Sequence, residues 1–362
     1  MVRSSAPLSE VEPARVCIIK PSSLGDIVHA LPILSALRGR WSGAHLAWVA
    51  NAPFRDLLDG HPDLDDLIIY DRGRRGIDAA GIGGMAGVLA RLRRGRYDLT
   101  IDLQGLFRSA VLAAATGAKV RVGMADAREG ARWFYTHHVD APRLGIHAVD
   151  RALRVAAALG ADVAKPRFHL AIPEEDRRWA RQALADLPRP CVILNLGARW
   201  QTKRWPPQSF AAIGRRAVEE FAAGLIAVGA AGDRPLVDAL ARHLAPVPLL
   251  DLCGQTRLRQ LAALALEADL LLSNDTGPLH LAAAAGARVV GIYTCTSPRL
   301  TGPYGPRVAT VQSGVWCAPS FRKRCNRLDC MSELEPDHVW PVVKSQLELG
   351  STDLKERAAF RI

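Results

Sequence analysis

Three polar clusters in this 362-residue chain have residue types and spacing suited to chemistry. The first is Lys20-Pro21-Ser22-Ser23-Leu24-Gly25-Asp26. It follows the apolar run RVCIIK (15–20) and opens a helix with Ile27, Leu31, Leu34 and Leu37 on one side. Such a strand–turn–helix offers small residues and free backbone N–H groups at a helix N-terminus, which favours anions. It also aims Asp26 into the space beyond the strand. Asp26 has two readings, a first-turn acid that stabilises the helix or a catalytic base. The turn is not a Walker loop, because the GxxxxGK[ST] pattern is missing.

The second cluster, Ser273-Asn274-Asp275-Thr276-Gly277-Pro278-Leu279-His280, lies between the apolar run DLLL and an Ala-rich helix. Thr276 can cap that helix, Pro278 suits its first turn, and Gly277 lets a ligand approach the backbone. A helix start of this kind presents unpaired N–H groups and a positive dipole end to a phosphate. A plain cap needs no such crowd of Asn, Asp, Thr and His, so a functional reading is favoured; His280 alone also fits a satisfied core histidine. The third cluster is Gly197-Ala198-Arg199-Trp200-Gln201-Thr202-Lys203-Arg204-Trp205-Pro206. Its bases can neutralise a diphosphate, or the loop is a solvated charged one with Trp205 packed beneath. Two weaker signals remain. Gln104, in Asp102-Leu103-Gln104-Gly105, either lines a cleft or sits in a simple turn. Seven Arg at 72, 74, 75, 91, 93, 94 and 96 suit an acidic acceptor or a membrane surface, or form a solvated face.

These clusters need elements to position them. Strands are expected at 15–20, 45–50, 66–70, 97–103 and 119–124, with helices from the first turn to about Arg38, near 84–95, at 106–116, and from Ala148 to a Gly160 C-cap. Residues 162–190 hold Pro166, Pro173, Pro188 and Pro190 around one polar helix, and the interdomain linker is placed there, at 166–190. The rhythm restarts with strands at 191–197, 224–230, 248–254, 269–275 and 288–294, and helices at 207–222, 234–244, 257–268 and 277–286. Alternating βα units predict an α/β fold with two doubly wound, Rossmann-like domains facing across a cleft. Their boundaries are a tail at 1–14, domains at 15–165 and 191–335, and a C-terminal helix and tail at 336–362. Ligands in such sheets bind beyond the carboxyl ends of the strands, which is where all three clusters fall.

Composition narrows the class. An apolar fraction of 49% and a charged fraction of 23% exclude a disordered chain. No run approaches the ~18 apolar residues of a membrane span. The first fifteen residues lack the apolar core of a signal peptide, so a cytoplasmic protein is expected. The net charge of +11 rests on Arg, since only seven of the 47 bases are Lys. That excess permits nucleic acid, anionic lipid or phosphorylated small molecules, but neither an aromatic-interleaved basic stripe nor a known nucleic-acid module is present, so nucleic acid is not expected as a partner. Cys17 and Cys191 sit in apolar strands as buried thiols. Cys317, Cys325 and Cys330 cluster late without a CxxC pair, so zinc is not the expected reading.

The Lys20-to-Pro32 opening resembles the start of the bacterial heptosyltransferases of glycosyltransferase family 9. Similar in turn are Asp102 to Gly105, Ala127-Arg128-Glu129-Gly130, His147-Ala148-Val149-Asp150-Arg151, Lys203-Arg204-Trp205-Pro206 and Asn274 to His280, colinear from about residue 14 to 345. The resemblance implies a GT-B fold with acceptor on the first domain and nucleotide-sugar on the second. It implies inverting, metal-independent transfer of heptose from an ADP-activated donor to the lipopolysaccharide inner core, without a cofactor. It makes Asp26 the base and Lys203 the cation that stabilises departing ADP. The donor is expected on Ser23, Gly25, Thr202, Arg204, Asp275, Thr276, Gly277, Pro278, Leu279 and His280. The acceptor, a lipopolysaccharide precursor, is expected on Arg72, Arg75, Gln104 and Arg128, with transient contact to the inner-membrane surface. One departure is Ala230-Ala231-Gly232-Asp233, where some relatives carry an acid for the ribose; Asp233 is a candidate substitute and no more. Rival readings are a family 9 enzyme with another donor or acceptor, and a non-catalytic nucleotide-sugar-binding protein.

Overall fold

The computed structural model describes residues 7–70 and 79–359. The chain divides between Ala171 and Ile172 into two compact units. The first carries strands β1 (Arg15–Ile19), β2 (His45–Asn51), β3 (Asp66–Tyr70), β4 (Leu99–Asp102), β5 (Val120–Met124) and β6 (His137–Val139). Its helices are α1 (Leu24–Ala30), α2 (Pro32–Arg40), α3 (Arg55–Leu58), α4 (Ala79–Arg94), α5 (Phe107–Ala115) and α6 (Ala148–Ala158). Val16–Ile19 and Leu46–Ala50 are buried on both faces, as strands of a helix-covered parallel sheet must be. The strands pair in parallel in the order β3-β2-β1-β4-β5-β6. Ile19 lies level with Val49 and Asp102, so the segments that follow β1, β2 and β4 leave the sheet side by side.

The second unit carries β7 (Cys191–Asn195), β8 (Gly224–Val228), β9 (Leu250–Asp251), β10 (Leu270–Asn274), β11 (Val289–Tyr293) and β12 (Val308–Gln312). Its helices are α7 (Glu174–Ala183), α8 (Pro207–Phe221), α9 (Arg234–Leu244), α10 (Leu258–Glu267), α11 (Gly277–Ala285), α12 (Pro298–Thr301), α13 (Asp329–Ser332) and α14 (Pro336–Ala359). The order β9-β8-β7-β10-β11-β12 repeats that of the first unit, counting strands from each unit's start. In each unit the direction of winding reverses beside the first strand, between β1 and β4 and between β7 and β10. That is where open α/β sheets bind ligands. The expected α/β, doubly wound GT-B class is what the chain adopts.

Some features differ from the sequence-based expectation. Strands β6 and β12 were not foreseen. Much of 166–190 is α7, which packs on α10 and buries Asp176 against Arg257 (2.8 Å), so this helix is part of the second unit. The helix expected after residue 336 is α14; it packs on α8 and on β10 to β12, adding Val339, Trp340, Val343 and Leu347 to the core around Trp205 and Phe210.

Candidate active site

In the first unit, the end of β1 and the start of α1 build the centre of the site. Asp26 Oδ2 accepts from the Ser23 amide (2.9 Å) and the Ser23 hydroxyl (2.6 Å), a capping arrangement that fixes the carboxylate at the helix start. Asp26 is open to solvent. The surrounding protein opposes its charge, but the Lys20 ammonium and the two Ser23 hydrogen bonds outweigh this and hold the carboxyl at about 2. Lys20 is itself buried, and its Nζ donates to the Leu103 carbonyl (3.3 Å). Burial pulls the Lys20 ammonium below its ordinary range, while Asp26 and Asp102 favour its charge. Both roles weighed for Asp26 are therefore compatible: the same carboxylate caps α1 and stands ionised in water.

Beyond β4, Asp102 organises the next turn. Its Oδ1 accepts from the amides of Gln104 (2.8 Å) and Gly105 (3.2 Å), and its Oδ2 from the Tyr135 hydroxyl (2.7 Å). Gly105 adopts a φ of +66°, and its carbonyl accepts from the Arg128 amide (2.9 Å), which ties the turn to the segment after β5. Gln104 is half-buried there, and its Oε1 is buried with no hydrogen-bond partner. Arg128 is exposed and stands beside Arg143. Burial and then Arg128 draw the Arg143 guanidinium below its ordinary range; Asp126 and Asp26 act the other way. Arg151 donates to Asp126 (2.5 Å).

In the second unit the corresponding positions, after β7 and β10, hold opposite chemistry. Asp275, 3% exposed, accepts from Lys203 Nζ (2.6 Å) and Thr296 Oγ1 (2.6 Å) on Oδ2, and contacts His280 Nε2 (3.2 Å) through Oδ1. Burial opposes the charge, but His280 and Lys203 hold the carboxyl well below the usual carboxylate range. Lys203 also lies 4.7 Å from the Trp200 ring centre, over which Lys323 approaches to 5.6 Å. Asn274 joins the two loops, accepting from the Trp205 amide (3.1 Å) and donating to the Leu196 carbonyl (2.8 Å). At the start of α11, Thr276 occupies the N-cap position and Pro278 the first turn. The Leu279 amide is engaged by the Thr276 carbonyl (3.1 Å), which removes it from the helix-start amides able to meet an anion and leaves those of Thr276 and Gly277.

A family model described as glycosyltransferase family 9 (heptosyltransferase) matches residues 85–330. The chain belongs to glycosyltransferase family 9. It is accordingly a glycosyltransferase. Lipopolysaccharide heptosyltransferase 1 of Pseudomonas aeruginosa is 30% identical over 86% of this chain and 87% of its own length. The lipopolysaccharide core heptosyltransferase OpsX of Haemophilus influenzae is 27% identical over 82% and 84%. Among solved structures, Escherichia coli heptosyltransferase WaaC with ADP aligns with a TM-score of 0.72 at 24% identity, covering 92% of this chain and 99% of that one. The family's fold is thus the fold described above.

Within this family frame the residues sort as follows. Ser23, Gly25, Asp26, Gln104 and Arg128 gather at the carboxyl end of the first sheet. Lys203, Asp275, Thr276, Gly277, Pro278, Leu279 and His280 gather at that of the second. Thr202 is buried, and its hydroxyl donates to the Arg322 carbonyl (2.6 Å), so its contribution is to hold the loop. Arg204 is exposed and donates from Nε to Ala198 O (2.7 Å). His280 reaches the site through Asp275. Arg72 and Arg75 lie outside the described residues. Arg91 of the same basic run pairs with Asp66 (2.7 Å) at the amino end of β3, and Arg93 lies against Gly117 before β5. Both are therefore at the opposite end of the sheet from Asp26. Asp233 accepts from the Ala230 amide (2.9 Å) and lies over Gly197, where a Cβ would stand 2.2 Å from its Oδ2. Sequence reasoning missed Lys20, Arg143 and Arg151 as site residues. Lys20 and Arg151 fall inside motifs already singled out; Arg143 carried no local signal.

Proposed function

We propose that this enzyme transfers heptose from ADP-heptose to a hydroxyl of the lipopolysaccharide inner core, on a Kdo or heptose residue. Transfer inverts the anomeric carbon, uses Asp26 as general base and needs no metal. The observation that carries this reading is the ionised, solvent-open Asp26 carboxylate, fixed by Ser23 and neighboured by Lys20 and Arg143. The names of the Pseudomonas and Haemophilus relatives support the acceptor class, and the Escherichia coli structure with ADP supports the nucleotide.

The chemistry follows from charge. The acceptor hydroxyl loses its proton to Asp26 as its oxygen bonds to the anomeric carbon, while the bond from that carbon to the diphosphate breaks. A carboxylate held at about 2 is a weak base at rest. It suffices when the hydroxyl becomes acidic late, as the new C–O bond forms. ADP departs with growing negative charge, which Lys203 and the amides of Thr276 and Gly277 stabilise. These protein charges do the work a metal would otherwise do. Arg128 and Arg143 suit carboxylate or phosphate groups of the acceptor.

The test is transfer by the purified enzyme from ADP-heptose to a Kdo-terminated acceptor in excess EDTA, with the product anomer read by NMR. Undiminished turnover and an inverted linkage are expected. Retention of configuration, or activity abolished by EDTA and restored by a divalent ion, overturns the mechanism. A second reading, a family 9 enzyme using another nucleotide-sugar, is favoured by one feature: the Asp233 carboxylate is already engaged by its own loop. Calorimetry with ADP, UDP and GDP separates the two, because preference for UDP or GDP removes the ADP-heptose assignment.

A further inference from the structure

Three large apolar side chains of the first unit stand in solvent: Phe107 (49% exposed), Trp133 (77%) and Leu144 (79%). They come from the segments that follow β4, β5 and β6, which are neighbours in the sheet. Contacts join those segments. The rings of Phe107 and Phe134 meet edge to face at 5.7 Å, Arg128 bonds Gly105, and Arg143 reaches back to Asp126 (3.5 Å). Exposed arginines flank the three side chains: Arg108, Arg132 beside the Trp133 ring (6.0 Å), and Arg143 next to Leu144. Of the acids in these segments, Asp126 is paired with Arg143 and Arg151, Glu129 accepts from the Phe107 amide, and Asp140 is exposed directly after β6, so the exposed arginines outnumber the unpaired acids.

We infer that this face docks on a bilayer containing anionic lipid, with Trp133, Leu144 and Phe107 entering the headgroup layer and Arg108 and Arg132 meeting lipid phosphates. Single exposed apolar residues need no explanation, but a Trp, a Leu and a Phe on adjacent segments, rimmed by Arg, form the pattern of an interfacial membrane contact. Charge complementarity selects the occupant: an uncharged protein surface has no use for the arginine rim. The face is continuous with Gln104, Gly105 and Arg128, so a lipid-borne acceptor would be met beside the base. Among the described residues no helix is long and apolar enough to cross a membrane, so the contact is peripheral. The inference rests on the proposed function only in taking the acceptor to be lipid-borne.

The test is co-sedimentation of the full-length enzyme with vesicles of phosphatidylcholine alone and of phosphatidylcholine with 30% phosphatidylglycerol. Binding to the anionic vesicles is expected, weakening as salt rises. The double variant Trp133→Ser, Leu144→Ser should lose at least tenfold in that binding, with an unchanged melting temperature and unchanged ADP affinity. In a second arm, the same variant should transfer normally to a water-soluble, deacylated acceptor and slowly to one embedded in vesicles. Equal vesicle binding by variant and wild type, or no binding by wild type, overturns the docking face. So does a wild-type dimer that the double variant dissolves while vesicle binding persists, which would assign the face to a second copy. Vesicle binding without transfer to either acceptor would leave the docking face standing and remove the proposed function.

Discussion

Lys203 and Asp275, on loops that follow β7 and β10, meet with Nζ 2.6 Å from Oδ2 where the winding of the second sheet reverses. The ammonium is thus paired and held in place by the protein itself. Asp275 has two further partners in Thr296 and His280, so it would stay satisfied if the proposed diphosphate drew the lysine away.

Replacing Lys203 by Ala should weaken ADP binding about tenfold or more, as expected for a charge-assisted contact to phosphate. It should also lower stability by about 1–3 kcal/mol, because a buried carboxylate loses one donor. Lys203→Arg should restore stability better than turnover, since the fork of a guanidinium does not reproduce the point charge. Calorimetry and urea unfolding of both variants read the two effects separately.

Asp26→Asn should cut turnover by about 100-fold or more, the usual scale for a positioned base, while ADP affinity stays unchanged. The amide oxygen can still accept from Ser23, but the charge facing buried Lys20 is lost, so a modest fall in melting temperature is expected alongside the loss of turnover. Turnover near that of the wild type would remove Asp26 from the chemistry.

Gly197 owes its identity to Asp233, whose Oδ2 occupies the place of a Cβ at 2.2 Å. Gly197→Ala should therefore cost about 1–3 kcal/mol by overpacking. The second change Asp233→Ala should recover part of that loss, and a double-mutant cycle by thermal unfolding measures the coupling.

His61 is buried, and its Nδ1 accepts from the Asp63 amide (3.1 Å). Burial lowers the imidazole from 6.5 to about 4, against the pull of Asp63. Between those values the unfolded chain binds a proton that the folded chain refuses, so stability rises with pH from about 4 to 6.5. The full swing is at most about 3 kcal/mol. His61→Phe should flatten this part of the profile, as read by urea unfolding at pH 4.5 and 7. Asp63 accepts from Ser35 Oγ (2.7 Å) and meets His169 Nδ1 (2.9 Å), which against the effect of burial lowers its carboxyl below 3.8, so its own contribution should be lost only below about pH 4, outside this window.

The sheets were legible because their central strands are continuous apolar runs between turn residues, as in RVCIIK and DLLL. Two edge strands escaped for opposite reasons. His137–Val139 is short and mostly polar, and Val308–Gln312 is only half-buried, so neither carries a strong apolar signal. The segment holding α7 reads as linker because Pro166, Pro173, Pro188 and Pro190 flank one polar helix; the place of that helix in the second unit depends on Asp176 meeting Arg257, 81 positions away. The site followed the same rule. Asp26, Asp275 and Lys203 stand out because each adjoins a strand end within a local motif. Arg143 and the fate of the Thr202 hydroxyl were invisible, since the first acquires its neighbours from separate loops and the second is decided by Arg322, 120 positions later.

The outward growth of the first sheet from its first strand has a consequence during synthesis. Were β1 to β3 to pair as they leave the ribosome, they would form a three-stranded ribbon whose open border is β1 itself, the wholly apolar Val16–Ile19. Its other partner, β4, begins only at Leu99. For the time it takes to translate those intervening codons, the future centre of the domain is an unguarded edge, the feature most prone to recruit a stray strand. In the nascent chain, more than in the finished enzyme, this border would be open to a wrong partner.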